Sequence, residues 1–312
     1  MTEGRSSRRP SLPGWADIIG TRGAVQIGVI AALIVWLYWD QVYRLVWFWR
    51  SELDWSHGFL IVPFSLYLIH QDRDRIAQAR IQQCWSGAAM MAVGIWAYAF
   101  CVKNTIVYPQ AMTMLVVIAG AVVLMVGWQV LRHTAFPMAF LILAMPPPER
   151  YYRSITQPLQ QFAAAISDLA LGLLPGVTMV RNGINLSALD VSGNELAQFT
   201  VAGACSGMRS LLAFITLGMM MAFLTPRPIW HRAVMVLIVV PVALFCNCIR
   251  VVVTGLLMIY DWSDFASGTA HSLLGIGTFA LGILIYSFVL YLMDHLFVDE
   301  TEAGSTPAGA SA

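Results

Sequence analysis

The sequence predicts an all-α polytopic membrane protein. Of its 312 residues, 58% are hydrophobic and only 11% charged, against roughly 25% charged in an ordinary soluble domain. The apolar residues also gather into successive runs, several near the roughly 20 residues that a bilayer core requires. This composition excludes a soluble globular enzyme. The formal net charge is +1, and the basic residues, all Arg except Lys103, are scattered, so no basic stripe points to nucleic acid. Five Cys is an odd number without a disulfide-framework spacing, which leaves at least one thiol unpaired.

Residues 1–22 form a polar segment carrying Arg5, Arg8, Arg9 and Arg22, expected to be cytoplasmic. The apolar run that follows ends at Trp36-Leu37-Tyr38-Trp39-Asp40, with no small-residue cleavage site, so it is expected to stay as a first helix. Further runs at 57–69, 86–102, 110–131, 134–146, 208–224, 233–260 and 271–293 bring the expected number of spans to about eight, within a membrane domain covering 23–293. The run at 134–146 is short and holds Pro137, so a re-entrant or tilted segment is the alternative there. With the N-terminus inside, ten Arg fall in inner segments and six Arg or Lys in outer ones, which favours cytoplasmic termini.

The long non-spanning stretch, 147–204, is then expected to be a small extracytoplasmic helix/hairpin insert. Pro146-Pro147-Pro148 stops the preceding helix. Leu159, Phe162, Ile166, Leu169, Leu173 and Leu174 recur near helical spacing, which predicts an amphipathic helix over 159–174 lying on the membrane surface. Extended pieces at 177–180 and 184–187 flank Asn182-Gly183, a strong hairpin signal, and a third, 195–201, leads into Cys205. Residues 294–312 are acidic and rich in small residues, the composition of a disordered cytoplasmic tail.

Three side chains stand out for chemistry. Arg250 lies inside an apolar run, where an ionisable group is costly; the competing reading is an Arg that snorkels or is structurally paired. Cys205 sits where the extended segment turns into the sixth run, between Gly203 and Gly207, and a helix N-terminus favours thiolate; the alternative is a small buried core residue. His271 opens the last run after a polar loop, where a structural role is the competing reading. One topology puts all three at the outer face. A thiol, a base and a fixed cation suffice for acyl transfer: thiolate attack, proton delivery to the leaving amine and stabilisation of the oxyanion.

Ala204-Cys205-Ser206-Gly207, Asn247-Cys248-Ile249-Arg250 and His271 before a final helix resemble, in that order, the signature of the exosortase and archaeosortase family of membrane transpeptidases. Ser56-His57-Gly58-Phe59-Leu60-Ile61-Val62-Pro63 resembles a stretch near the start of bacterial exosortases, and the likeness runs from about Trp55 to Gly275. The resemblance implies a catalytic set of Cys205, Arg250 and His271 in a bacterial cytoplasmic (inner) membrane. It also implies exported substrates with a C-terminal sorting signal of the PEP-CTERM kind: a short Pro-containing motif, an apolar helix and a basic cluster. Such systems are associated with exopolysaccharide production, and the thioester would pass to water or to an amine or lipid acceptor.

Supporting residues follow from position. Arg209 lies four residues after Cys205, on the same helix face, and holds the substrate, assists the oxyanion or pairs with a carboxylate such as Asp190 or Glu195. His57 is an alternative base, Asn247 is expected to hydrogen-bond across helices, and Ser206 and Gly207 flank the nucleophile. Cys246 and Cys248 point about 200° apart on a helix and make a poor chelating pair, so neither metal nor cofactor is expected. Membrane lipids are expected partners; nucleic acid is not. Two other classes compete: a transporter or lipid-linked polysaccharide export component with Arg250 binding an anion, and a membrane acyl- or glycosyltransferase using His271 or His57.

Overall fold

The structure is a computed structural model that describes residues 15–201, 208–262 and 268–296. The chain is mostly helical (78%) and divides into two compact units, Met1–Pro148 and Glu149–Ala312. Cys205, Ser206, Gly207, most of the N-terminal segment and the tail beyond 296 lie outside the described residues. Arg209 and His271 enter as helical backbone positions.

In the first unit, α1 (Trp15–Leu37) is interrupted at Gly20, whose φ of 65° and ψ of 167° are open to glycine and break the helix. α2 (Trp39–Ser51) buries Gln41 and Leu45, α3 (Gly58–Gln71) and the short α4 (Arg73–Gln78) follow, and α5 (Ser86–Lys103) pairs with α6 (Val107–Met125). The sequence runs 110–131 and 134–146 imply a break near 132. The chain instead turns at Gly127, whose φ of 96° ends α6 and starts α7 (Trp128–Phe140), continued by a 3-10 turn over Leu141–Ala144. Leu45, Ala111, Leu115 and Met145 form the unit's core cluster. Polar groups are satisfied across it: the Tyr38 hydroxyl donates to Thr113 Oγ1 at 3.2 Å, and Trp49 Nε1 donates to the Ala144 carbonyl at 2.8 Å.

The second unit opens with α8 (Glu149–Leu171) and a meander β1 (Val177–Asn182), β2 (Asn185–Asp190), β3 (Glu195–Thr200), antiparallel in the order β1-β2-β3. α9 (Met208–Leu224), α10 (Ile229–Ile259) and α11 (Gly268–Leu296) complete it. The helix expected over 159–174 starts ten residues earlier, directly after the three prolines. Its buried face is the small-residue stripe Thr156, Ala163, Ala164, Ser167 and Leu171, while Phe162, Ile166, Leu169 and Leu173 stay exposed. An apolar face left outside the protein core is the face that lipid can cover. The hairpin also shifts by one residue. Asn182 pairs with Asn185, so Gly183-Ile184 is the two-residue loop. Of that loop only Gly183 has positive φ (65°), the placement of glycine in a type II′ turn.

α10 is the axis of this unit. On one side Cys246 joins Leu211, Phe214 and Tyr286 from α9 and α11; on the other Cys248 joins Ala163, Leu171, Leu186, Phe199 and Val201 from α8 and the meander. The two thiols therefore serve opposite faces, as their spacing requires. At Gly255 a Cβ would stand 2.6 Å from Leu171 Cδ1 and 2.8 Å from Phe199 Cζ, so the meander and α8 approach α10 as closely as glycine permits.

Five described helices, at Gly20–Leu37, Ser86–Lys103, Val107–Met125, Ile229–Ile259 and Leu273–Met293, are long and apolar enough to cross a membrane. A sixth results if Trp128–Ala144 and Glu149–Leu171 count as one broken span. The eight expected from sequence are not reached, because the runs at 57–69 and 208–224 become helices of 14 and 17 residues. At 1.5 Å per residue these measure about 21 and 26 Å, short of a hydrocarbon core of about 30 Å.

Candidate functional site

Arg250 is held by the turn of α10 on which it sits. Its Nη2 donates to Asn247 Oδ1 at 3.1 Å, one turn earlier on the same helix, and Asn247 is only 5% exposed. Asn247 thus works within its own helix, in contrast to the cross-helix bond expected from sequence, because a three-residue separation puts amide and guanidinium side by side. Arg250 Nε is buried with no hydrogen-bond partner among the described residues. A buried N–H in that condition is short of an acceptor, and the cost of leaving it so is about 1–3 kcal/mol.

The remaining guanidinium nitrogen faces α11. A Cβ built on Gly275 would meet Arg250 Nη1 at 4.0 Å, so the cation lies over the face of α11 that carries Gly275. His271 precedes Gly275 by four residues on the same helix and therefore shares that face, about 6 Å along the axis. Gly275 escaped the sequence reading. The available signal was a glycine one turn after a histidine, which leaves a side-chain-sized space beside it.

Arg250 does not lie at the end of its helix. α10 begins at Ile229, four residues before the expected start, and runs nine residues beyond Arg250 to Ile259, because Val251–Ile259 continues the apolar pattern. The guanidinium is thus enclosed by protein on the Asn247 and Gly275 sides. The approach to Cys205 is also defined up to its last described residue. Val201 is 1% exposed, packs in the cluster of Cys248 and Val251, and donates its N–H to the Ile184 carbonyl at 3.0 Å. These two α10 residues bracket the Arg250 turn, and Val201 stands four residues before Cys205. Four residues span at most about 14 Å of chain.

Alongside this turn, an apolar groove of about 450 Å³ runs between α8 and α10, walled by Phe162, Ile166, Pro241, Phe245, Ile249 and Val252. His57, in the first unit, has both ring nitrogens against backbone carbonyls: Nδ1 lies 3.0 Å from Asp54 O and Nε2 3.3 Å from Leu143 O. It is 9% exposed and ties the 3-10 turn at Leu53–Trp55 to the one at Leu141–Ala144. Among the described residues, no group of three or more His, Cys, Asp or Glu is arranged to hold a metal ion.

The first unit carries a distinct thiol. Cys84, just before α5, lies 3.1 Å from Ser86 Oγ, which itself accepts a hydrogen bond from Trp128 Nε1 at 3.0 Å. The Ser86 hydroxyl beside the sulfur holds this thiol below its ordinary range. Cys101, Cys246 and Cys248 are buried.

Compared with known proteins, residues 49–288 match the family model described as transmembrane exosortase (Exosortase_EpsH). No curated protein and no solved structure matches the chain.

Proposed function

Since the chain belongs to the transmembrane exosortase family, we propose that this multi-pass membrane protein is a cysteine transpeptidase that cleaves C-terminal sorting signals of exported proteins. Cys205 attacks the scissile carbonyl, so that an S–C bond forms and the carbonyl becomes an oxyanion; collapse of this tetrahedral intermediate breaks the C–N bond, releases the amine and leaves a thioester. His271 takes the thiol proton and returns it to that amine. Arg250 balances the oxyanion of the tetrahedral intermediate, a contact worth about 3–4 kcal/mol in a water-poor site. The thioester then passes to water or to an amine acceptor.

The observation that carries this reading is the position of the Arg250 guanidinium over the face of α11 on which His271 is placed, with Nε–H lacking an acceptor among the described residues. The packing of Val201 beside the Arg250 turn supports the approach of Cys205. The groove between α8 and α10 suits the apolar helix of a sorting signal, with its Pro-containing motif lying toward Arg250. Arg209 holds the substrate or supports the oxyanion from the helix after Cys205, while Gly203 and Gly207 leave room for a peptide backbone and Ser206 stands beside the nucleophile. His57 keeps a structural role, since its ring is buried between the Asp54 and Leu143 carbonyls, to one of which a neutral imidazole donates. In this reading the site faces outward from a bacterial inner membrane with both termini in the cytoplasm, which requires the short apolar helices α3 and α9 and the α7 segment to cross as well, by local thinning of the bilayer; α8 and the meander then lie on the outer side, and export is linked to exopolysaccharide.

The test is the processing of a reporter ending in a Pro-containing motif, an apolar helix and an Arg cluster. Cys205→Ala is expected to abolish cleavage while the protein is still made and inserted. Cleavage at the normal rate by a well-expressed Cys205→Ala chain overturns the assignment of the nucleophile.

A further inference from the structure

α1 lies loosely on the first unit: none of its span, Gly20–Leu37, is buried. Two apolar cavities border it. One, of about 360 Å³, is walled by Ile27, Ile69, Ile76, Ile118, Val122 and Val130. The other, of about 430 Å³, is walled by Val29, Ile30, Trp85 and Leu124, with Gln83 and Cys84 also lining it. Gln26 and Met125 border both. Both volumes fall in the range of ligand pockets. The first offers almost no polar target, because the Thr134 hydroxyl on its wall is already spent on the Val130 carbonyl at 3.1 Å. Slots of this kind take hydrocarbon.

Their rim is cationic. Arg22 stands one turn before Gln26 on the same face of α1, and Arg80 adjoins Ile81, which lines the first cavity. Both are exposed, and neither has a carboxylate partner among the described residues. On the same rim Arg73 is matched by Asp74 and His70, and Arg75 by Asp72. Asp17 lies beyond the break at Gly20. The segment bearing Arg80 is pinned, its N–H donating to Gln129 Oε1 at 2.8 Å and that of Gln82 to the Val126 carbonyl at 3.3 Å. At the opposite ends of these helices Arg44, Arg50 and Lys103 are balanced by Asp40, Glu52 and Asp54, so the excess of positive charge belongs to the cavity end.

We propose that this site binds an anionic glycerophospholipid. The phosphate sits against Arg22 and Arg80, and the two acyl chains enter the two slots on either side of Gln26. Two hydrocarbon slots under one rim fit a diacyl lipid; a single-chain polyprenyl phosphate would fill only one. The lipid completes the packing of α1 and does not depend on the reaction proposed above.

The experiment is native mass spectrometry of the purified full chain, released from nanodiscs containing phosphatidylglycerol, phosphatidylcholine and a polyprenyl phosphate in known ratio. Each arginine near a phosphate contributes about fivefold, so phosphatidylglycerol is expected to be retained about 30-fold over phosphatidylcholine. Arg22→Gln and Arg80→Gln should each lower that preference about fivefold. Val122→Phe, which fills one slot, should reduce retention of both phospholipids. The arginine substitutions are at exposed positions and leave the fold intact, so they remain decisive if the Val122 variant does not fold. Equal retention of the two phospholipids, unchanged selectivity in the double arginine variant, or stronger retention of the polyprenyl phosphate would each overturn the proposal.

Discussion

The two units solve the same packing problem in different ways. In the second, a 31-residue helix is gripped along its length, and Gly255 leaves no room for even a methyl group beneath Leu171 and Phe199. In the first, α5 and α6 make a close pair, but α1 leaves cavities on both of its sides. The contrast follows what each unit has to hold. Arg250 is fixed by Asn247 on its own helix and lies against Gly275 opposite, the kind of unyielding scaffold that the proposed oxyanion contact calls for. A helix at the edge of a bundle can leave its gaps to lipid.

The largest effect that would sharpen this contrast lies at Arg250. Arg250→Lys is expected to lower reporter cleavage by about 10²- to 10³-fold, since an ammonium cannot hold Asn247 and face α11 with the same fork. Asn247→Ala should fall between that variant and the natural protein, because it frees the guanidinium without removing it. Activity in Arg250→Lys close to that of the natural protein would show that the tight unit is not built around this side chain.

A smaller effect separates the units by stability. Gly255→Val should destabilise the protein by about 1–3 kcal/mol through overpacking against Leu171 and Phe199. Gly28→Val on α1, where a Cβ meets nothing within 4 Å, should change it by less than about 0.5 kcal/mol. Thermal unfolding of the two variants in one detergent makes the comparison, and equal shifts would break it.

The smallest effect concerns thiols. With Cys205 replaced by Ala, maleimide should label Cys84 ahead of the buried Cys101, Cys246 and Cys248. Because the folded-state pKa of Cys84 is lowered, its labelling should already be appreciable at a pH where an ordinary thiol is still protonated. Ser86→Ala should move that onset to higher pH. An unchanged profile would remove the hydroxyl as the cause.

Much of the architecture was legible because it rests on local rules. Long apolar runs could only become helices in a bilayer, and the turn near Asn182-Gly183 and the stop at Pro146-Pro147-Pro148 follow from backbone preference. What escaped was decided at longer range. The break at Gly127 resembled a continuation of the apolar run, since glycine occurs within membrane helices as well as at their ends. The large residues of α8 mark the side that lies outside the protein core, whereas its inward side is set by Ala163, Ala164 and Ser167, because small side chains let α8 approach α10 closely. Asn247 could have faced any neighbour, and the geometry of a single turn joined it to Arg250.

By itself the sequence determined the apolar, helical class and the order of elements, and it nominated Cys205, Arg250 and His271 as the groups to test, because hydropathy and short motifs are properties of neighbours along the chain. Tertiary structure alone decided that Arg250 lies over the Gly275 face of α11, that Val201 packs beside the Arg250 turn, and that cavities flank α1. Those outcomes depend on how closely helices approach, and close approach is set by volumes that meet only once the chain has folded.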